Sequence, residues 1–478
     1  MHFSQELMAL RSPAVLMAVC AIAGCAVGPV YKRPDVTPVA QFRSQVGPSE
    51  ATSIADLPWW GIFDDKALQS LITEALANNY DLKVAISRIE EARAQVGVVR
   101  ADLYPQVGYQ ASAARQKVFI PLENPTPNVT FNSYGTLLNA AWELDVWGRI
   151  HHATEAARAS LYAQEDVRRG VMLTLVSSVA ASYFSLLEFD RELAIAKDSR
   201  DSYGRSLNLF SSRFGAGRDS KLGVVRAQAA YDSSGASIAS LNRAIVQQEN
   251  ALSVLLGAYP RAIDRGVPLA EQKTPPTPVG LTTDVLKRRP DIQQAEQAMI
   301  GANAEVGVAV ANFYPTIGLS ALFGGQGQAG EDIFKSDFNV WSLGAGLAGP
   351  IFQGGRLKSA YQAQQAFWDE TILQYKQTIL VAFRETSDAL IARDTLVDQR
   401  TALQGQVESL REAVDLAIAR YDAGRASYFE VLEAQQQLFP AESALAQTQR
   451  DQLLAVVNLY KALGGGWNLQ DGDWTQPR

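Results

Sequence analysis

The chain has 478 residues, 47% of them hydrophobic and 19% charged, with 43 Lys and Arg against 50 Asp and Glu. A formal charge of −7 lacks the basic excess of a nucleic-acid binder, and the apolar share excludes a disordered chain. Mean hydropathy is −0.07, and beyond the N-terminus no run of 18 or more apolar residues is found, which excludes a polytopic helical membrane protein.

The chain opens with a secretory signal over residues 1–24: Arg11, then the apolar run Ala14 to Ala23. That run ends in Ile22-Ala23-Gly24-Cys25, which resembles a bacterial lipobox. The expectation is cleavage before Cys25 and a diacylglyceryl group on its thiol. Cys20 lies inside the signal, so the mature chain holds one cysteine and no internal disulfide. Residues 25–65 are then a lipid-anchored N-terminal segment.

An internal repeat organises the remainder. Val96 to Gly108 reads VGVVRADLYPQVG and Val306 to Gly318 reads VGVAVANFYPTIG, an offset of 210 residues. The same offset relates Asn79-Tyr80-Asp81-Leu82 to Arg289-Pro290-Asp291-Ile292. Arg213-Phe-Gly-Ala-Gly-Arg218 matches Arg420-Tyr-Asp-Ala-Gly-Arg425 at an offset of 207, as Leu256-Gly257 matches Leu463-Gly464. Repeat one therefore covers 66–257 and repeat two 281–464. A linker over 258–280, with Pro260, Pro268, Pro275, Pro276 and Pro278, parts them, and 465–478 form a C-terminal tail.

Each repeat is mostly helix, because no proline falls between Pro127 and Pro260 or between Pro350 and Pro440. Leu403, Val407, Leu410, Val414, Ala417 and Tyr421 step as a heptad seam, with Tyr203, Leu207, Phe210 and Phe214 at the equivalent places. One helix from about Arg149 to Phe214 is predicted, about 100 Å long at 1.5 Å per residue. Gly215, Gly217 and Gly424 supply turns where long helices meet, at tips spanning 213–220 and 420–427. Pro440 replaces a serine of the first copy, Ser233, and predicts a bend in the descending helix.

Four segments alternate with period two. Val107, Tyr109, Ala111 and Ala113 share one face; so do Leu138, Ala140, Trp142, Leu144 and Val146. Ile317, Leu319, Ala321 and Phe323 form a third, and Trp341, Leu343, Ala345 and Leu347 a fourth. They define hairpins at about 105–147 and 315–352, with loops over 117–134 and 324–339. Such alternation over about ten residues marks a membrane β-barrel. Lipid tolerates no open sheet edge, and four strands do not close, so several chains must pool strands. Two chains would give eight strands and three would give twelve, the latter leaving room for a pore.

The sequence resembles the outer-membrane efflux proteins of the OprM/TolC type, specifically the lipoprotein branch serving drug efflux. The resemblance rests on Cys25-Ala-Val-Gly-Pro-Val-Tyr-Lys-Arg-Pro34, Trp59-Trp60 with Phe63, the ANN/YDL and RRPDI segments, Phe313-Tyr314-Pro315, Gly349-Pro350-Ile351-Phe352-Gln-Gly-Gly-Arg356 and the paired tips. It implies a mixed α/β membrane protein: a homotrimer closing a twelve-stranded barrel, four strands per protomer, on a periplasmic barrel of long helix pairs. It further implies a bacterial outer-membrane location, a periplasmic adaptor (membrane fusion) protein, an inner-membrane pump of the RND type, and export of small molecules such as antibiotics. In that picture the tips close the periplasmic mouth, and the tip glycines Gly215, Gly217 and Gly424 meet the adaptor. Tyr421 matches the family's tip tyrosine and Glu433 its constriction acid, Asp in relatives. Ala426 and Gly223 depart from positions where some members carry Arg and Asp.

The residues themselves agree with a gate. Glu430, Glu433 and Gln437 fall at i, i+3 and i+7 on one helix face. Three copies of each carboxylate would ring a closed mouth, attract cations and limit packing unless donors such as Arg218, Arg226 and Arg425 offset them. Trp59, Trp60 and Phe63 read as packing anchors. Two rivals stay open: a channel for type I protein secretion on the same fold, and a periplasmic coiled-coil adaptor or scaffold without a pore. An enzyme is not expected. His151 and His152, the mature histidines, are adjacent and splay about 100° apart on a helix, poor geometry for joint metal ligation. No phosphate loop is present, and no cofactor or metal is expected.

Overall fold

A computed structural model describes residues 26–36, 41–43, 45, 53–119, 128–280 and 282–465. Cys25 and the signal before it lie outside the described residues. In order, the elements are α1 (Lys66–Asn78), α2 (Tyr80–Ala101), β1 (Gln106–Phe119), β2 (Asn128–Leu144), α3 (Arg149–Gly215) and α4 (Lys221–Leu255). The second copy supplies α5 (Thr282–Arg288), α6 (Pro290–Ala311), β3 (Thr316–Gly327), β4 (Asn339–Ala348), α7 (Arg356–Asp422) and α8 (Tyr428–Ala462). Helices α3 and α7 have 67 residues each, and α4 and α8 have 35 each. The chain separates into two compact units.

One unit comprises the described residues up to Asp35, Arg88–Glu165 and Gln294–Tyr375. Its four strands form a single antiparallel meander in the order β1-β2-β3-β4. Register places Tyr109 opposite Leu138, Leu138 opposite Phe323 and Phe323 opposite Trp341. Val107, Ala140, Ala321 and Leu343 form a parallel row across all four strands, so the four alternating segments share one apolar face. Gln106, Ala141, Ser320 and Gly344, with Gly108, Asn139, Leu322 and Ser342, make the other, more polar face. Leu138, Phe323, Trp341, Leu343 and Leu347 are all exposed. Among the described residues, strands β1 and β4 have one unpaired edge each.

The first hairpin is longer than its alternation predicts. β1 pairs through Phe119 and β2 starts at Asn128, inside the stretch read as loop. Ladder hydrogen bonds need no alternation of side chains where neither face meets lipid, so the pattern stops before the strand does. In the second loop β3 extends to Gly327 and two short 3₁₀ turns follow.

The N-terminal segment is strapped onto this unit. Val27 N donates to Trp147 O at 3.1 Å, and the His152 Nε2 lies 3.1 Å from Val27 O. Asn303 Nδ2 donates to Pro29 O, and Arg33 pairs with Glu296 at 2.5 Å. Gly28 has a φ of +145° and a Cβ there would stand 2.9 Å from the Gly307 Cα. The GPVYKRP stretch is thus specified by fit along its length.

The second unit comprises the described residues within Val36–Ser87, Asp166–Gln293 and Lys376–Arg478. Its core gathers Val179, Tyr183, Phe184 and Leu186 of α3, all fully buried, with Phe63 edge-on to Phe184 at 4.9 Å and Trp59 buried as well. One stretch of α3 is long and apolar enough to cross a membrane, yet most of it is buried inside the protein. It is a core helix. The buried Tyr183 hydroxyl donates to Asp65 Oδ2 at 3.0 Å and accepts from Gly266 N at 2.8 Å, while Asp65 Oδ1 caps α1 through Ala67 N and Leu68 N.

The duplicated motifs do equivalent work here. Asn79 Nδ2 donates to Leu255 O, at the end of α4, at 3.0 Å. Arg289 Nη1 donates to Ala462 O, at the end of α8, at 3.0 Å. Each copy uses the side chain at the same place to satisfy a helix's last carbonyls. α8 runs unbroken across Pro440, which is exposed.

Candidate gate at the helical tips

Both long hairpins turn on the same backbone device. At the first tip Gly217 N donates to Phe214 O and Arg218 N to Arg213 O, each at 2.9 Å. At the second, Gly424 N donates to Tyr421 O and Arg425 N to Arg420 O, again at 2.9 Å. These are Schellman turns, and they require the left-handed φ of +66° at Gly217 and +68° at Gly424. Gly215 lies one position before the cap, in the last turn of α3.

The turns bring an aromatic cluster together. Tyr203 and Phe210 of α3, Ala227 and Ala230 of α4, Ala417 and Tyr421 of α7, and Tyr428, Val431 and Leu432 of α8 form one buried core. Phe210 meets Tyr428 edge-on at 4.3 Å, and Tyr428 meets Tyr421 at 5.0 Å. Arg213 stacks over the Tyr421 ring at 4.5 Å, and Arg226 over Phe429 at 5.3 Å, both favourable against the negative ring face. Burial, before any charge, pushes the Tyr421, Tyr428 and Tyr203 hydroxyls above the ordinary phenol value. All three stay neutral.

The seam residues Tyr203, Phe210 and Ala417 are buried in this cluster, and of the candidate gate residues Tyr421 alone joins them. The seam prediction fails at its equivalent: Phe214 is exposed, and the ring that packs edge-on against Phe210 is Tyr428 of α8. Glu430 makes a 3.7 Å ion pair with Arg420, both exposed. Glu433, Arg218 and Arg425 are exposed and have no ion-pair partner among the described residues. Arg226 is exposed on its ring stack. Gly223 has a packing reason: a Cβ there would lie 3.0 Å from the Phe210 ring.

Four residues that sequence reasoning passed over complete the cluster. Tyr428 donates to Ser206 Oγ, Gln435 Nε2 donates to Ser202 Oγ at 2.8 Å, and Tyr203 OH donates to Gln435 O at 3.4 Å. The available signal was periodicity: Ser202, Ser206 and Phe210 recur every fourth residue on α3. Among the described residues no cluster of His, Cys, Asp or Glu is arranged to hold a metal ion. His152 instead clasps the N-terminal strap and lies 3.4 Å from Glu155.

The sequence profile of the outer membrane efflux protein family matches residues 71–258 and 281–465. The solvent efflux pump outer membrane protein SrpC of Pseudomonas putida is 35% identical over 461 residues, covering 95% of this chain and 98% of SrpC. The cation efflux system protein CusC of Escherichia coli K12 is 33% identical over 463 residues, covering 95% of this chain and all of CusC. The open state of the Neisseria gonorrhoeae MtrE outer membrane channel superposes with a TM-score of 0.84 at 30% identity, covering 93% of this chain and 99% of that one. A four-stranded sheet with one apolar face, two duplicated helical hairpins and these full-length likenesses agree, and the chain belongs to the outer membrane efflux protein family.

Proposed function

We propose that this outer-membrane efflux channel is a homotrimeric passive conduit, gated at its periplasmic tips. One observation carries the reading: a sheet with a continuous apolar face ends in two unpaired edges, β1 and β4. Unsatisfied backbone in hydrocarbon costs several kcal/mol per group, so β1 of one subunit pairs with β4 of the next, and three chains close twelve strands around a pore.

Cys25 carries the lipid anchor, and the strap from Ala26 to Arg33 leads directly from it. The strap's specific contacts support an anchor held beside the sheet-bearing unit. The acyl chain adds affinity for the outer membrane, while the barrel supplies the insertion. Small molecules are the cargo, in keeping with the solvent and cation efflux named for SrpC and CusC. The chain performs no chemistry; energy comes from an inner-membrane pump of the RND type, relayed by a periplasmic adaptor that engages the tips around Gly215, Gly217 and Gly424. Adaptor docking biases a two-state opening in which the hairpins part.

In the closed trimer the exposed carboxylates of Glu433, and of Glu430 beside them, ring the mouth, with Tyr421, Arg218, Arg226 and Arg425 around it. Planar-bilayer conductance of the purified protein tests this. Glu433→Gln is expected to change resting conductance and to reduce cation preference. A chain that gives no conductance, and whose loss leaves drug tolerance unchanged while abolishing secretion of a protein, would overturn the small-molecule reading.

A further inference from the structure

Two kinds of contact hold the tips, and they differ in polarity. The charged contacts lie at or near the surface: the Arg420–Glu430 pair within the second hairpin at 3.7 Å, the half-buried Arg213 over the Tyr421 ring at 4.5 Å and the exposed Arg226 over Phe429 at 5.3 Å, with Glu433, Arg218 and Arg425 in solvent. Exposed pairs gain little and are screened by salt. At the tip, the hydrogen bonds between α3 and α8 are uncharged and largely buried. Tyr428 donates to Ser206 Oγ, and Ser206 Oγ in turn donates to Ser202 O at 3.0 Å. Two turns further along α8, Gln435 Nε2 donates to Ser202 Oγ at 2.8 Å while its own carbonyl accepts from Tyr203. Phe210 closes the row against the Tyr428 ring at 4.3 Å.

The spacing makes this a ladder. Ser202, Ser206 and Phe210 lie on one stripe of α3, and Tyr428 and Gln435, seven residues apart, on one stripe of α8. Ser206, Phe210, Tyr428 and Gln435 are buried. Hydrogen bonds shielded from water are stronger and polarise one another, and separating the helices exposes every partner at once. The Gln435 Oε1 is itself buried without a partner, so the ladder holds together with one group unsatisfied.

We propose that the closed mouth is held shut by this uncharged α3–α8 ladder, Tyr428 and Gln435 acting as positioning residues, while the exposed charges select what approaches. The proposal rests on reading the tips as a gate. The test is open probability of the full-length, membrane-inserted protein in planar bilayers at low and at high salt. Tyr428→Phe combined with Gln435→Met keeps the volume and removes both donors, and is expected to raise open probability roughly tenfold, by the same factor at both salts. Glu430→Gln is expected to act weakly, and at low salt alone. Should the double variant fail to assemble, Ser202→Ala removes one acceptor at a half-buried site and is expected to raise open probability by a smaller factor, again unaffected by salt. Resting behaviour unchanged in the ladder variants, while Tyr421→Ala opens the channel, overturns the ladder and leaves the gate standing. An increase that fades at high salt overturns it too. No effect from any tip variant overturns the gating reading itself.

Discussion

The two copies of the repeat share a scaffold and differ in the charge they place on it. Helices of equal length, 67 and 35 residues in each copy, meet at identical Schellman turns. Past the turn the copies part: Lys221, Gly223 and Arg226 of α4 stand where α8 carries Tyr428, Glu430 and Glu433. A basic start to α4 thus corresponds to an acidic start to α8. The same divergence recurs at the far ends of these helices, where neutral Asn79 and charged Arg289 satisfy equivalent carbonyls. Duplication preserves what backbone geometry demands, and it frees the side chains that only decorate it.

The difference between the caps offers the largest effect. Arg289 is buried against Asp291 at 2.6 Å and Glu385 at 2.7 Å besides its bond to Ala462 O. Arg289→Ala removes a buried cation from two half-exposed carboxylates and leaves Ala462 O without its partner, and is expected to cost roughly 2–3 kcal/mol. Asn79→Ala, losing a neutral bond, is expected to cost about 1–2 kcal/mol. Denaturant unfolding of the assembled protein measures both, and equal losses would erase the distinction between the copies.

A second contrast concerns pH. Glu188 of α3 is buried beside Arg450 of α8, at 3.2 Å. Burial first, then the neighbouring Glu192, push its carboxyl up to about 7, against the pull of Arg450. Arg450 is shared with Asp451, and Glu192 accepts from Gln447. The second copy has Thr395 and Gln399 at the equivalent positions. A carboxyl raised in the folded state favours folding when protonated, so the contribution of Glu188 to stability is greatest at acid pH and falls as pH rises from the ordinary carboxylate range toward about 7. Glu188→Gln is expected to gain roughly 2 kcal/mol at pH 8 and to flatten that slope. Thr395→Val is expected to leave the slope alone. Melting temperatures between pH 5 and pH 8 distinguish the two.

The smallest effect separates the two ends of each helical hairpin. Gly217 and Gly424 have open space around a Cβ, so alanine at either costs only the left-handed backbone, about 1 kcal/mol. Gly257 has the same turn but a Cβ there would stand 2.5 Å from Asn78 O. Gly257→Ala is therefore expected to cost more than either tip substitution, and urea midpoints of the three variants rank them.

Much of this architecture is legible in the residues. The 207-residue offset, the heptad positions and the four alternating segments are periodic, and periodicity survives because buried faces enforce it. Val407, Ala417 and Tyr421 are buried as the seam implies. What escapes is whatever depends on one contact between distant segments. Nothing in His152 announces that it receives Val27, and nothing in Asn79 or Arg289 announces a helix end about 175 residues away in sequence. At the tips, charge drew attention to Glu433, Arg218 and Arg425, while serine and glutamine do the joining. The four-residue recurrence of Ser202, Ser206 and Phe210 is a signal, but on a mostly polar helix surface such a short run does not stand out from its neighbours.

The bare margins of β1 and β4 also carry a genetic consequence. A subunit unable to offer one margin still occupies its neighbour's other margin and leaves the ring incomplete. In the trimer proposed above, a defective allele expressed beside an intact one is therefore expected to subtract from it, so that loss of efflux is dominant when the lesion falls in either outer strand.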